Sequence, residues 1–260
     1  MNFSEKFTVW GAGRTLGAAA LAGAISLMAM PTSAQENKLP AVDPVALEAL
    51  FDMSERLRNL GSFTINADIA SEIVLTTGER LTAINQVSID AHNGTNLRIE
   101  KTSPTRERIF YFNGESATLW APLKNFYTTT EFSGTNADLI VHLANKFGYE
   151  APLSDLFLLG TGPDDAKAIT QARFIRPTNI DGRLCAQFAY RMENVDLQMW
   201  IDMAEGGLPC AYQIVDRTDD ASPTFFATLD IETIVNLDDN RFTFVPPEDA
   251  ISIQFKSVAE

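Results

Sequence analysis

The sequence predicts an α+β protein whose main part is an antiparallel β-sheet. Long stretches such as Phe63–Leu75 alternate apolar and polar residues, which is the pattern of strands with one face toward a core. Asn93-Gly94, Asn113-Gly114 and Asp181-Gly182 separate such stretches, and these pairs favour tight hairpin turns. Strands joined by hairpins form a meander, so the sequence does not predict the βαβ units of a nucleotide-binding sheet.

The N-terminal residues have the pattern of a secretory signal peptide. Lys6 and Arg14 supply positive charge, an apolar stretch covers residues 16–30, and Thr32-Ser33-Ala34 fits a cleavage site. The apolar stretch is short and rich in Gly and Ala, which disfavours a membrane span. We therefore predict a signal peptide over residues 1–34, cleavage after Ala34, export, and no stable membrane span afterwards.

The overall charge limits the classes of partner. The chain has 260 residues, a formal net charge of −14 and 45% hydrophobic residues. Nucleic-acid binding depends on Lys and Arg at phosphates, so the acidic balance argues against it. It also disfavours docking on anionic membrane surfaces. The hydrophobic content is that of a globular protein, and residues 35–260 are predicted to form one domain.

An amphipathic helix is predicted at the start of this domain. Asp43 is suited to cap it, Pro44 to occupy its first position, and Gly61 to stop it. Between them, apolar residues recur at three- and four-residue spacing, which predicts a helix over Pro44–Leu60 that packs on a sheet.

The rest of the domain divides into a first meander over residues 62–130, a helical lid over 136–159 and a second meander over 170–256. In the lid, Asn136–Phe147 is predicted as a helix, and Leu153–Leu159 is apolar around its whole circumference and therefore buried on several sides. The second meander contains the longest predicted strand, Thr224–Val235, and ends in an edge strand over 241–255 with a bend at Pro246-Pro247.

Cys185 and Cys210 are the two cysteines of the chain. An even number in an exported protein favours a disulfide. In a regular meander, however, one strand separates them, which places their Cα atoms about 9–10 Å apart. A bridge needs Cα atoms within about 7 Å, so it can form only where the middle strand ends or bends.

No catalytic constellation is recognisable in the sequence. His92 and His142 lack partners at metal-ligand spacing, and no Gly-x-Ser-x-Gly elbow occurs. Glu193 and Asp196 lie near one predicted hairpin, where paired carboxylates could perform acid–base chemistry, but nothing places them on a common face. We predict no catalytic residue, no metal and no cofactor, with an undetected enzyme as the alternative.

Several motifs resemble those of a known family. These are Tyr111–Trp120 (Tyr-Phe-Asn-Gly-Glu-Ser-Ala-Thr-Leu-Trp), Tyr149–Leu156 and Asp181–Cys185. They look like a family of predicted periplasmic proteins of unknown function within the outer-membrane lipoprotein-carrier-like superfamily, and the resemblance covers essentially the whole exported chain. It implies a periplasmic protein with an unclosed, strongly bent sheet, a half-barrel of about ten or eleven strands. An N-terminal helix and a helical lid over a hydrophobic cavity complete the implied fold.

The functional prediction is a non-enzymatic protein that binds or carries a lipid or a lipoprotein acyl chain between sheet and lid. Apolar side chains usually line such sites. The candidates are the large apolar residues of the aromatic hairpin and the lid: Trp120, Phe126, Leu139, Leu143, Leu156 and Phe157. Two alternatives stay open: these residues only fill a core, or the fold senses envelope stress through an unidentified partner protein.

Overall fold

One sheet of twelve strands runs through both halves of the chain. The computed structural model describes residues 41–103, 106–160, 164–204, 206–233 and 235–257, so the predicted signal peptide lies outside the described residues. The strands are β1 (Ser62–Val74), β2 (Arg80–His92), β3 (Asn96–Ser103), β4 (Arg106–Phe112), β5 (Ser116–Ala121), β6 (Phe126–Glu131), β7 (Gln171–Ile180), β8 (Arg183–Arg191), β9 (Val195–Asp202), β10 (Pro209–Asp216), β11 (Thr224–Glu232) and β12 (Ile251–Ser252).

The strand order is β12-β6-β5-β4-β3-β2-β1-β11-β10-β9-β8-β7. Neighbouring strands are antiparallel except β12 and β6, and β1 joins the two meanders by pairing with β11. The sheet is unclosed, because β12 and β7 form its edges. The predicted α+β open half-barrel is confirmed, with slightly more strands than the about ten or eleven expected.

Within the described residues, four α-helices accompany the sheet: α1 (Pro44–Arg58), α2 (Asn136–Phe147), α3 (Ser154–Leu158) and α4 (Asp165–Ala168). Apolar residues of α1, α2 and α3 share one core cluster with alternate residues of the strands. We call the face of the sheet that carries these helices the inner face, and the opposite face the outer face.

Helix α1 begins as the sequence predicts. The Asp43 side chain accepts a hydrogen bond from the Val45 amide at 3.0 Å, and Pro44 is the first residue. The helix ends at Arg58, slightly before the predicted end. The Tyr190 hydroxyl on β8 donates to the Ala46 carbonyl at 2.8 Å, and this bond fixes the start of α1 over the second meander.

The lid consists of α2 and α3, residues 136–159. Thr135 and Asp138 form a reciprocal capping box at the start of α2, and Gly148 ends this helix with a φ of 61°. Only a residue that tolerates positive φ fits this position, which is why the helix stops where the sequence predicts. The Arg58 guanidinium of α1 donates to the Leu159 carbonyl at 2.7 Å, so α1 also holds the end of the lid.

The C-terminal segment differs from the predicted long edge strand. Within residues 241–255, only Ile251–Ser252 pairs with β6. The preceding residues cross the outer face, where Phe242 is buried and stacks on His92, and Phe244 contacts three aromatic rings. The Arg241 guanidinium donates to the buried Asp90 carboxylate at 2.5 Å. These partners explain why the segment leaves the plane of the sheet.

A disulfide joins Cys185 and Cys210 across β9, with their Cα atoms 6.7 Å apart. Cys185 is opposite Asp202, the last residue of β9. The pairing of β9 with β10 is irregular between Pro209 and Ala211, next to Cys210. The bridge therefore forms where the middle strand ends and the pairing with its neighbour is irregular. This is the condition under which the sequence allowed a bridge.

Candidate ligand-binding face

The inner face is filled where the lid covers it. Leu139, Leu143 and Leu156 are at most 1% exposed and belong to the same core cluster as the strand residues Ile65 and Ile89. The lid side chains thus pack directly on the sheet, and in this state they form part of the protein core.

Phe157, the fourth candidate of the lid, is partly buried. Its ring stacks on that of Phe63 in β1 with centroids 6.3 Å apart. All four lid candidates therefore lie on the side of the lid that packs against the sheet, an arrangement that a filled core and a closed lid share.

The structure separates the other two predicted residues from this group. Trp120 lies on the outer face, where its ring centroid is 5.4 Å from that of Phe244. Its neighbour Leu119 packs against the inner core, and successive strand residues point to opposite faces. Phe126 is 38% exposed near the sheet edge. The alternation in β5 could have shown that Trp120 faces away from the lid, once Phe110 and Phe112 were assigned to the core.

Beyond the lid, the inner face continues with residues that no other described part of the chain covers fully. Ile73 and Leu81 are paired across β1 and β2, and each is 49% exposed. Ser71 and Ala83 form the next pair toward the core and are half-buried. We call these four residues the open strip. The alternation of β1 predicted Ser71 and Ile73 on the core face, but the sequence did not indicate that the helices stop short of them.

Three basic side chains lie on the inner face beside the lid. Lys101 on β3 is directly opposite Arg108 on β4, and Arg106 follows on the same face of β4. Burial lowers the pKa of Lys101, and the charge of Arg106 lowers it further. Arg108 is near the ring of Tyr149, which stacks on Phe110 with centroids 6.0 Å apart. We call Lys101, Arg106 and Arg108 the cationic corner.

A carboxyl group sits at the junction of lid and sheet. Burial raises the pKa of Asp155 in α3 to about 7, and the charge of Glu150 contributes. The Tyr212 hydroxyl from β10 adjoins this carboxylate, and burial raises the pKa of Tyr212 far above its ordinary value. Near neutral pH, the lid therefore carries a negative charge that its surroundings disfavour.

Two other polar side chains considered in the sequence have local partners. The ring of His142 lies between Phe132 and Phe147, with centroids 4.8 and 6.0 Å away. Asp196 accepts two hydrogen bonds of 2.7 Å from Arg191. The described part of the chain contains no group of three His, Cys, Asp or Glu residues that could hold a metal ion.

A separate groove of about 480 Å³ opens where α1 meets β1. Leu60, Gly61, Ser62, Thr233, Val235 and Asn236 line it. Several of these residues are polar, and the open strip lies at the other end of β1. This groove is therefore distinct from the apolar inner face.

An open half-barrel with an apolar inner face and a helical lid defines the class of this protein. The chain belongs to the DUF2092 family, described as predicted periplasmic proteins, whose model matches residues 46–256. The family suggested by the sequence motifs is thus confirmed. No curated protein sequence matches the chain. No helix in the described ranges is both long enough and apolar enough to cross a membrane.

Several solved structures are similar to this chain. An uncharacterised conserved protein from Thermus thermophilus has 10% identity, a TM-score of 0.45, and coverage of 81% of this chain and 99% of its own. A LolA superfamily protein from Nitrosomonas europaea has 10% identity, a TM-score of 0.36, and coverage of 76% and 97%. The MucA/MucB complex of Pseudomonas aeruginosa has 11% identity, a TM-score of 0.44, and coverage of 77% and 61%.

Proposed function

We propose that this protein is a non-enzymatic periplasmic protein that binds or carries a hydrophobic ligand, a lipid or a lipoprotein acyl chain, along its inner face. In this proposal, the signal peptide over residues 1–34 directs export to the periplasm and is cleaved after Ala34. One observation carries the proposal: the open strip extends the buried apolar floor of the sheet beyond the lid, with Ile73 and Leu81 each 49% exposed.

The inner side of β2 offers a path for an acyl chain. From Val87, at the edge of the buried floor, to Leu81 in the open strip, the strand advances six residues, which is about 20 Å, and Asn85 is the one polar residue of β2 on this path. Each CH₂ group gains about 0.8 kcal/mol when it is fully buried, and part of this when it lies on an open apolar face. A long chain can therefore bind without conspicuous polar motifs.

The lid gives the ligand a way into the interior. Leu156 and Phe157 pack on the floor, and a chain that enters between lid and sheet must replace their contacts with its own. The replacement exchanges one apolar contact for another, so its net cost is small compared with exposing the floor to water. In this proposal, Leu139, Leu143, Leu156 and Phe157 become lining residues when the lid moves.

Two variants of one hairpin test the proposal. Leu81→Glu places a charge on the inner face, whereas Ile84→Glu places the same charge on the outer face, where Ile84 is 74% exposed. After gentle purification, organic extraction and mass spectrometry should find an amphiphile with the wild type and with Ile84→Glu, but not with Leu81→Glu.

Added lipid should raise the melting temperature of the wild type and of Ile84→Glu only. A wild-type protein that is empty after extraction and shows no lipid-induced thermal shift would overturn the proposal. If Leu81→Glu and Ile84→Glu bind lipid equally well, the open strip is not part of the binding site.

A second candidate function is an interaction protein that senses envelope state through a partner. The observation that favours it is edge strand β7, which exposes Phe174 and Ile175 and pairs only with β8 beyond its first residues. Residues 41–43 cover only its start, through the bridge between Val42 and Ala172. A pull-down that yields one stoichiometric partner, lost with Ile175→Lys, together with a lipid-free protein would favour this function over the first.

A further inference from the structure

The cationic corner is unusual for a strand pair beside a protein core. Lys101 and Arg108 are directly opposite on neighbouring strands, and like charges in this arrangement are destabilising. Both side chains are half-buried on the inner face, so water screens their repulsion incompletely.

None of the three cations is neutralised within the described residues. The ion pairs of the described chain use other basic residues, among them Arg80, Arg98 and Arg191. Among the described residues, the Arg108 guanidinium donates to one group, the Glu107 backbone carbonyl, at 2.8 Å. The chain has 34 acidic residues against 20 basic ones, so acidic partners are abundant overall. An unneutralised group of basic side chains in such a chain indicates that a ligand supplies the negative charge.

The position of the corner relates it to the apolar surface. Lys101 is opposite Val87 on β2, and Val87 belongs to the buried floor from which the open strip extends. The inner face therefore carries a positive end and an apolar track on adjacent strands, which is the complement of a molecule with one anionic end and one apolar end.

We infer that Lys101, Arg106 and Arg108 bind the anionic headgroup of an amphiphile whose chain lies on the open strip. Three positive charges exceed the charge of one carboxylate and suit a phosphate monoester, to which Arg offers a planar pair of donors and Lys a point charge. This inference rests on the proposed function and specifies its ligand as an anionic, phosphate-bearing lipid.

Calorimetric titration with three probes tests the inference on the wild type. Myristoyl lysophosphatidic acid and myristoyl lysophosphatidylcholine have the same acyl chain and differ in the charge of the headgroup. Both are used below their critical micelle concentrations. Inorganic phosphate supplies the charge of the headgroup without an acyl chain. We expect lysophosphatidic acid to bind at least about tenfold more tightly than lysophosphatidylcholine, because charge-assisted hydrogen bonds are the strong ones. Higher salt should reduce this preference. Inorganic phosphate should give no saturable binding.

Two double variants localise the effect. Lys101→Gln/Arg108→Gln should lose the preference for lysophosphatidic acid, whereas Lys124→Gln/Lys256→Gln removes the same charge from exposed positions and should keep it. Without ligand, the first variant should melt at a higher temperature than the wild type, because it removes a like-charge pair. If Lys101 and Arg108 had only a structural role, replacing them would not both raise the melting temperature and lower the affinity for lysophosphatidic acid.

The outcomes separate the inference from the proposed function. If neither lysolipid binds, the proposed function itself fails. If both bind equally to the wild type, the hydrophobic site stands and the headgroup site is overturned. A third outcome is saturable binding of inorganic phosphate that is lost in Lys101→Gln/Arg108→Gln and is no weaker than the binding of lysophosphatidic acid. This outcome would overturn the inference of an amphiphilic ligand and indicate a site for free phosphate.

Discussion

The inner face has a covered part and an open part, built from the same strands. In β2, Ile89 lies under the helices and is fully buried, whereas Leu81 lies on the same face of the same strand and is 49% exposed. Both residues obey the alternation of the strand. They differ in their surroundings: Ile89 has β3 beside it through Ile99, whereas the ladder of β2 with β3 ends at Gln86, so Leu81 lies beyond both β3 and the helices.

This difference shows that a strand pattern records which face is apolar, and not what covers it. Under the lid, Leu139, Leu143 and Leu156 cover the apolar face. Beyond the lid, the open strip has no cover within the described residues. Exposed apolar patches often mark sites for a ligand or a partner, and for this reason the open part carries our functional proposal.

The largest expected effect comes from a truncation in the covered part. Leu139→Ala in α2 should lower the free energy of unfolding by about 2–5 kcal/mol, because it leaves a cavity in a close-packed core. Urea unfolding followed by circular dichroism measures the change. The half-buried Val141→Ala in the same helix is the control and should cost under about 1 kcal/mol. Equal losses for the two variants would mean that the lid is not packed on the sheet.

A slightly smaller effect is expected at the junction between lid and sheet. The folded-state pKa of Asp155, raised by burial to about 7, lies above its unfolded value of about 3.8, so the folded state binds more protons between these values. Stability from the neutral carboxyl is fully present below pH 4 and is lost as pH rises to 7. Asp155→Asn keeps the neutral form and should stabilise the protein by about 2–4 kcal/mol at pH 8.

Thermal unfolding of Asp155→Asn at pH 4 and pH 8 measures this difference. The variant and the wild type should have similar stability at pH 4, and the exposed Asp52→Asn in α1 should match the wild type within about 0.5 kcal/mol at both values. A wild type whose stability does not fall between pH 4 and pH 7 would contradict the raised pKa of Asp155.

Much of the fold could be predicted because its signals are local. Hairpin turns such as Asn93-Gly94 require positive φ, which these residues adopt at 53° and 69°, and α2 has a capping box and a glycine stop within its own sequence. For the disulfide, the sequence predicted only that the middle strand must end or bend between the two cysteines. The irregular pairing of β10 next to Cys210 depends on the neighbouring strand, and no local sequence pattern indicates it.

The candidate site was less predictable because it depends on contacts between distant segments. Trp120 faces Phe244, a residue more than a hundred positions away, and the aromatic content of its hairpin gave no sign of this partner. The facing of Lys101 and Arg108 follows from the register of β3 and β4. A shift of one residue would turn one side chain to the other face, and the sequence alone does not define the register.

The smallest effect is expected in the open part, where it is also the most informative. Leu81→Ala should change the free energy of unfolding by under about 0.5 kcal/mol, since the side chain is already half in water. Ile89→Ala, on the same face of the same strand, should cost about 2–5 kcal/mol. Paired urea titrations without ligand measure the contrast. A loss at Leu81 as large as at Ile89 would mean that something covers the open strip in solution, and the ligand would then have to enter elsewhere.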